Sequence, residues 1–335
     1  MGRFDFEVFG TAISPRSDDH DPLKLVTRNA DLAEGNGLDG LLIFYNHTTF
    51  DPWITAGTIL HTSRSLTPIV ALQPYATPPF TAAKTIHSLV RLHGRRVDVN
   101  LITGAAREEL DQVGEPLDHD GRYERAIEYA GILRSLLSAD QPLTHEGRYY
   151  RYRNLRAHAR LAPDLTPRVF VAGSSPSSRR AAAAVGDVAI THPEPVERFS
   201  STFLDGPGPR PGIGIRVGIV ARETGDEAWS AARARYPSDR RAELQVAMKR
   251  RSESDWSRRL ARLAGPDGVH DEVYWTGAYR SGKGSTPLLV GAHREVADYL
   301  ERYLALGVGT VILGGALDEE ELRNISRVMA DLRGR

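Results

Sequence analysis

The chain contains no cysteine. Disulfides, thiolate metal sites and a cysteine nucleophile are therefore excluded. It also carries no net charge, with 43 Lys plus Arg set against 43 Asp plus Glu. A general polyanion binder needs an excess of positive charge, so nucleic acid is not an expected partner. No apolar run reaches the length of a membrane span, and residues 1–20 lack the basic-then-apolar order of a signal peptide. The expectation is a cytoplasmic protein with no membrane partner. No H-x-x-x-H spacing and no G-x-S-x-G turn occur, so a metal site and a serine hydrolase are both disfavoured.

A near miss narrows the field further. GAYRSGKGST, residues 277–286, comes within one residue of a phosphate-cradling P-loop. Gly284 stands where that loop needs a Ser or Thr hydroxyl for magnesium. The following STPLLVG does not open a helix either. What remains is a Gly-rich, cationic segment whose cations need another use.

Short apolar runs alternate with helical patterns from end to end. FDFEVFGTA (from 4), GLLIFY (40–45), TPIVAL (67–72), VDVNLI (97–102), RVFVAG (168–173), DVAIT (187–191), GIRVGIVA (214–221) and TVILGG (310–315) make eight strand candidates. Between them, Ile127, Ala130, Leu133 and Leu137 step by three or four, as do Val296, Leu300 and Leu304 ahead of Gly307. Asp318 and Glu321 are spaced as a capping box for a helix that buries Leu322, Ile325, Met329 and Leu332. LAEGNGLDGLLIF and YLALGVGTVILGG share the order helix, glycine, turn, strand, as repeated units would. Strands that are apolar without alternation belong in a parallel sheet covered on both faces. Eight such units predict an α/β fold, a (β/α)8 TIM barrel; a doubly wound open sheet fits the same alternation. We expect one domain over residues 1–335, with residues 225–290 inserted between strands 7 and 8 as a helical lid. DGPGPRPG (205–212) reads as a rigid loop into strand 7. The inserted Arg-rich patterns interleave acids with bases, which is how solvated helix faces look.

In a parallel barrel the chemistry stands at the C-terminal ends of the strands. Those ends carry Ser14; Tyr45, Asn46 and His47; Gln73; Asn100 and Thr103; Ser174 and Ser175; Thr191 and His192; and Arg216. In VAGSSPSSRRAAAAVG a strand runs through Gly173 into two serines and then a helix. Free N–H groups, hydroxyls and a helix dipole would face one phosphate there, or the serines only cap the helix. His47 and His192 read equally well as ordinary loop histidines, and Asp118, His119 and Asp120 as a helix start.

NLITGAAREELDQVG followed by LDHDGRYERAIEY resembles the flavin-dependent alkanesulfonate monooxygenases of the bacterial luciferase-like group. The likeness continues through VALQP (70–74), AGSS (172–175), IRVGIVARETGDEAW (215–229) and LLVGAHREVADYLERYLALGVGTVILGG (288–315), nearly the whole chain in order. The resemblance implies a two-component monooxygenase. Reduced FMN would come from a separate NAD(P)H:flavin reductase, and a C4a-peroxyflavin formed with O2 would oxygenate a small molecule. It implies Ala71 and Leu72 behind the flavin ring, on a bulged strand with a strained cis peptide. It places Asn100, Thr103 and Glu109 at the ring's polar edge, Arg122 and Tyr123 along the ribityl chain, and Ser174 and Ser175 at the phosphate. Arg216 and Arg280 match two arginines of those enzymes, Arg280 on a mobile lid. A homodimer or tetramer is implied as well. Ser14, Thr49, His192, Gly218 and Ala316 depart from the sulfonate pattern. Such changes predict a different substrate, a larger or specialised metabolite, with His47, His192, Tyr45, Thr49 and Trp53 around it. Two alternatives follow from the same group: a deazaflavin (F420)-dependent hydride transferase, and a flavin-binding accessory protein without turnover.

Overall fold

Eight parallel strands close on themselves in the computed structural model, which describes residues 4–104, 107–156, 160–204, 211–237, 255–265, 267–284, 286–315 and 318–335. They are β1 (Glu7–Thr11), β2 (Gly40–Ile43), β3 (Thr67–Leu72), β4 (Asp98–Leu101), β5 (Val169–Ala172), β6 (Val188–Thr191), β7 (Gly212–Arg222) and β8 (Val308–Gly314). Each pairs with the next in the chain. The ring is shut where β8 meets β1, with Val8 opposite Val311. The open-sheet alternative is excluded, because a doubly wound sheet keeps two free edges.

Period-two alternation sorts the strand residues into two layers. Phe9, Leu42, Ile69, Phe170, Val188, Ile190 and Ile312 fill the barrel. Their neighbours Val8, Leu41, Ile43, Val70, Leu72, Val99 and Val171 face the helices. The ring helices are α1 (Pro22–Gly35), α2 (Pro52–Thr62), α3 (Pro79–His93), α4 (His119–Ser138), α5 (Pro176–Val185), α6 (Val196–Phe203), α7 (His293–Ala305) and α8 (Glu319–Gly334). Asp21, Asp51, Asp118, Ser175 and Asp318 cap five of them through side-chain oxygens. The box expected at α8 is half made. Asp318 accepts the Glu321 N–H at 2.9 Å, but the Glu321 carboxylate turns inward to Arg222 at 2.6 Å and Arg235 at 2.9 Å. Glu321 is fully buried, and two guanidiniums offer it more than one exposed N–H would.

The strand expected to bulge does not. β3 pairs with β4 in unbroken register from Ile69 to Leu72, and every peptide bond among the described residues is trans.

The segment between β7 and β8 holds more than helices. β7 outruns the ring: its first half pairs with β6, while Gly218–Arg222 pairs in parallel with a further strand, Leu288–Ala292. Tyr274–Trp275 and Val269–His270 extend this side sheet in antiparallel fashion. LLVGA was not among the predicted strands, because a five-residue apolar run leading into a helix has no periodicity of its own. The helix Gly225–Arg235 packs Ala228 and Ala232 on the side sheet, with Trp229 alongside. A second inserted helix, Asp255–Leu263, is joined to the short helix Gly277–Arg280 through Tyr279. The Arg-rich faces are not simply solvated, since Arg235 pairs with Glu321 and Arg259 with Glu194. Residues 238–254, Ala316 and nearly all of the 205–212 loop lie outside the described residues.

Candidate active site

A cavity of about 280 Å3 opens at the C-terminal ends of the ring strands. Leu42, Phe44, Ala71, Ile102 and Ala172 give it an apolar wall. Asn100, Thr103, His119, Arg122, Tyr123, Ser174 and Ser175 line the polar side. An adjoining recess of about 550 Å3 shares His119, Arg122 and Ser175 and adds Arg107, Arg180 and Arg258 beside Asp118 and Asp120.

Arg216, halfway along β7, sends its guanidinium into the cavity. Its central carbon lies 4.4 Å from the centre of the Phe44 ring, and Nε is buried without a hydrogen-bond partner. Among the described residues no carboxylate pairs with it. Burial pulls its pKa down to about 10, which leaves it charged at neutral pH. A cation stripped of water costs several kcal/mol unless an anion or dipole meets it. The site is therefore built to receive negative charge.

His192, just beyond β6, faces the same space. Burial first, and the Arg216 charge second, hold its pKa well below the usual 6.5, so the ring is neutral. Its Nδ1 has no hydrogen-bond partner. The ring stacks on Trp256 with centroids 4.1 Å apart and planes 26° from parallel. Asn100 Oδ1, on β4, is likewise buried and unpartnered. Orphaned polar atoms inside a protein carry a desolvation penalty that a ligand can remove.

At the other end, Tyr123 on α4 donates to the Ala172 carbonyl at 3.2 Å. Gly173 beneath it has φ +133°, and a Cβ there would come within 2.8 Å of Ser178 and of the Tyr123 hydroxyl. Only glycine fits that turn. Ser175 caps α5, accepting the Ser178 N–H at 3.2 Å. Ser174 is 6% exposed and donates to Asp255 Oδ2 at 3.1 Å.

Of the residues expected from the sequence, Tyr45, Ala71, Asn100, Thr103, Arg122, Tyr123, Ser174, Ser175, His192 and Arg216 all line the cavity. Six do not. Leu72 follows the β alternation outward into the helix layer. Glu109 is exposed on the short helix Arg107–Gln112. After Tyr45 the chain turns away, because the Asn46 side chain accepts the Thr48 N–H at 2.9 Å. His47 then pairs with Gln112 at 3.1 Å, and the Thr49 hydroxyl donates to the Asn46 carbonyl at 3.2 Å. Trp53 packs against the helix-layer core. Arg280 is displaced by its neighbour: Tyr279 is buried, with its hydroxyl 2.8 Å from the Ser257 carbonyl, so the next residue faces out. Arg280 lines a separate recess beside Trp229, Arg233 and Trp275. The sequence reading missed Asp255 and Trp256, which enter the cavity from the inserted helix. Their signal was an apolar face of Trp256, Leu260 and Leu263 inside an Arg-rich run.

These residues fit FMN. The apolar wall suits a flat ring, Asn100 and Arg216 supply unmet polar atoms, and the start of α5 supplies hydroxyls and N–H groups for a phosphate. Among the described residues no group of three or more His, Asp or Glu could hold a metal.

Comparison with known proteins places the chain in a family. The family described as luciferase-like monooxygenase matches residues 4–310. The 4-(γ-L-glutamylamino)butanoyl-[BtrI acyl-carrier protein] monooxygenase BtrO of Niallia circulans is 42% identical over 303 residues, 89% of this chain and 88% of that protein. Among solved structures, a riboflavin lyase holding modified FMN and riboflavin superposes with a TM-score of 0.74 at 19% identity, covering 98% of this chain and 92% of that one. An F420-dependent secondary alcohol dehydrogenase reaches 0.68 at 16% identity, covering 98% and 99%. At such identities the structures speak for the fold alone.

Proposed function

Because this chain belongs to the luciferase-like monooxygenase family and is a flavin-dependent monooxygenase, we propose that it uses reduced FMN and O2 to oxygenate an acyl group presented on a carrier protein. The observation that carries the reading is Arg216, a buried guanidinium aimed into the barrel mouth and paired with no carboxylate of the described residues. When bound, reduced FMN supplies the electrons that activate O2, so that one oxygen atom enters the substrate and the other leaves as water. The chain supplies position, dryness and charge. Leu42, Ala71 and Ile102 would back the ring, and Ser174, Ser175 and the α5 N-terminus would hold the tail. Arg216 would meet the negative charge that develops during oxygen transfer, a role worth about 3 kcal/mol for a preorganised donor. Neutral His192 would add a hydrogen bond at Nδ1 without competing for that charge. Trp256 closes the wall against water. A separate NAD(P)H:flavin reductase would deliver the cofactor.

The carrier-bound acyl group comes from the 42% identical relative, whose substrate hangs on an acyl-carrier protein. The test is to mix FMNH2-loaded protein with air and a panel of acyl-carrier proteins, including 4-(γ-L-glutamylamino)butanoyl, alongside the same acids free and simple alkanesulfonates. Gain of one oxygen atom on a carrier-bound acyl chain is expected. Preference for a free sulfonate would remove the carrier from the reading. Substrate reduction or oxidation without O2 uptake would replace the monooxygenase by a deazaflavin-type hydride transferase.

A further inference from the structure

We infer that Asp255 sets how tightly flavin is held, because its carboxylate occupies the phosphate's place in the free protein; the inference rests on the reduced-FMN reading above. Ser174 is one of the two hydroxyls at the tail end, and it already donates to an anion, Asp255 Oδ2, at 3.1 Å. That anion arrives complete with cations. Arg258 Nη2 lies 3.1 Å from Asp255 Oδ1, and Arg259 Nε lies 3.5 Å from Oδ2. Arg259 continues to Glu194 at 3.1 Å. A hydroxyl and two guanidiniums around one carboxylate are the donor set that a phosphate monoester would take.

Among the described residues, every other one lining the cavity belongs to a ring strand, its following loop or the start of α4, and only Asp255 and Trp256 come from the insertion. The space they leave is about 280 Å3. Sites for cofactor-sized ligands run from about 300 to 1,000 Å3, and here an acyl chain must enter beside the flavin. Withdrawal of the inserted helix would widen the mouth for loading. Asp255 and Trp256 are adjacent, so a phosphate that expels the carboxylate also lifts the indole from His192. Riboflavin, whose tail ends in a neutral hydroxyl, makes no such demand. Weak, exchangeable binding suits a cofactor that is handed over by a second protein.

Wild type, Asp255→Asn and Asp255→Glu are titrated with FMN and with riboflavin, following flavin fluorescence, with thermal midpoints as a check on folding. Removing the charge should tighten FMN about fivefold or more and move riboflavin less than about twofold, while Asp255→Glu stays near wild type. In wild type, inorganic phosphate should compete with FMN and change tryptophan emission, where chloride at equal ionic strength does not; Trp256→Phe should lose that emission change. The phosphate arm needs no variant to fold. FMN binding unchanged or weaker in Asp255→Asn overturns the inference and leaves the monooxygenase reading standing. An equal gain for both flavins overturns it too, since Asp255 would then govern access alone. Failure of wild type to bind either flavin removes the flavin site and the inference together.

Discussion

At the scale of single residues, Arg216 and Asn100 bring buried, unpartnered polar atoms to the cavity, and both positions were legible in advance because they stand on strands. A strand residue inherits its direction from the pleat, so its place in the chain fixes the face it presents. Ala71 and Leu72 show the limit of that logic: they are neighbours, yet one faces the cavity and the other the helix layer. His47, Thr49 and Trp53 come after the strand has ended, and there the Asn46 turn redirects the chain before any of them can reach inward. The residue-scale prediction concerns Arg216. Arg216→Met keeps much of the side-chain volume and loses the charge. Its kcat should fall by about 100-fold, the cost of removing one preorganised donor, with flavin affinity changed far less. Single-turnover kinetics on the loaded enzyme decide the matter, and an undiminished rate would take Arg216 out of the oxygen-transfer step.

Among the elements, the inserted helix Asp255–Leu263 matters most. One side packs Leu260, Ala261 and Leu263 around Tyr279, whose hydroxyl meets both Oγ and the carbonyl of Ser257 at 2.9 and 2.8 Å. Its first turn presents Asp255 and Trp256 to the cavity. The Gly-rich stretch that begins at Gly277 thus packs on the helix through its tyrosine, a latch of two hydrogen bonds. Periodicity could not reveal this, because the contact joins two segments twenty-two positions apart. Tyr279→Phe removes the latch, both hydrogen bonds to Ser257, which costs about 1–3 kcal/mol locally. Amide hydrogen exchange should then quicken across residues 255–263 while α4 and α5 keep their protection. Protection that is unchanged in the inserted helix would mean Tyr279 does not hold it.

For the whole molecule, the ring was legible because all eight strands are apolar runs bracketed by turns, and the side sheet was not because Leu288–Ala292 is short and flows into α7. The two faces of the barrel divide the labour. The cavity sits at one; at the other Arg168, just before β5, binds Asp98 at 2.9 Å and Glu7 at 2.6 Å, tying together the starts of β1, β4 and β5. Asp98 is completely buried, and that burial raises its pKa against the pull of Arg168 and Arg96. Asp98→Ala removes the buried carboxylate from a half-buried guanidinium that keeps Glu7, so unfolding in denaturant should show a loss of about 1–3 kcal/mol. Flavin affinity in the folded variant should be untouched, because the far face reads as stability. A variant that melts like wild type would show the bridge to be idle.

β7 serves two sheets in succession, first closing the ring and then seeding the outer one. The insert is thus woven into the scaffold and cannot be exchanged as a cassette. Cutting out residues through Ala292 would leave Gly218–Arg222 with a bare hydrogen-bonding edge, an invitation to aggregate. Grafts that retune substrate choice should therefore stop short of Leu288 and keep that strand in place.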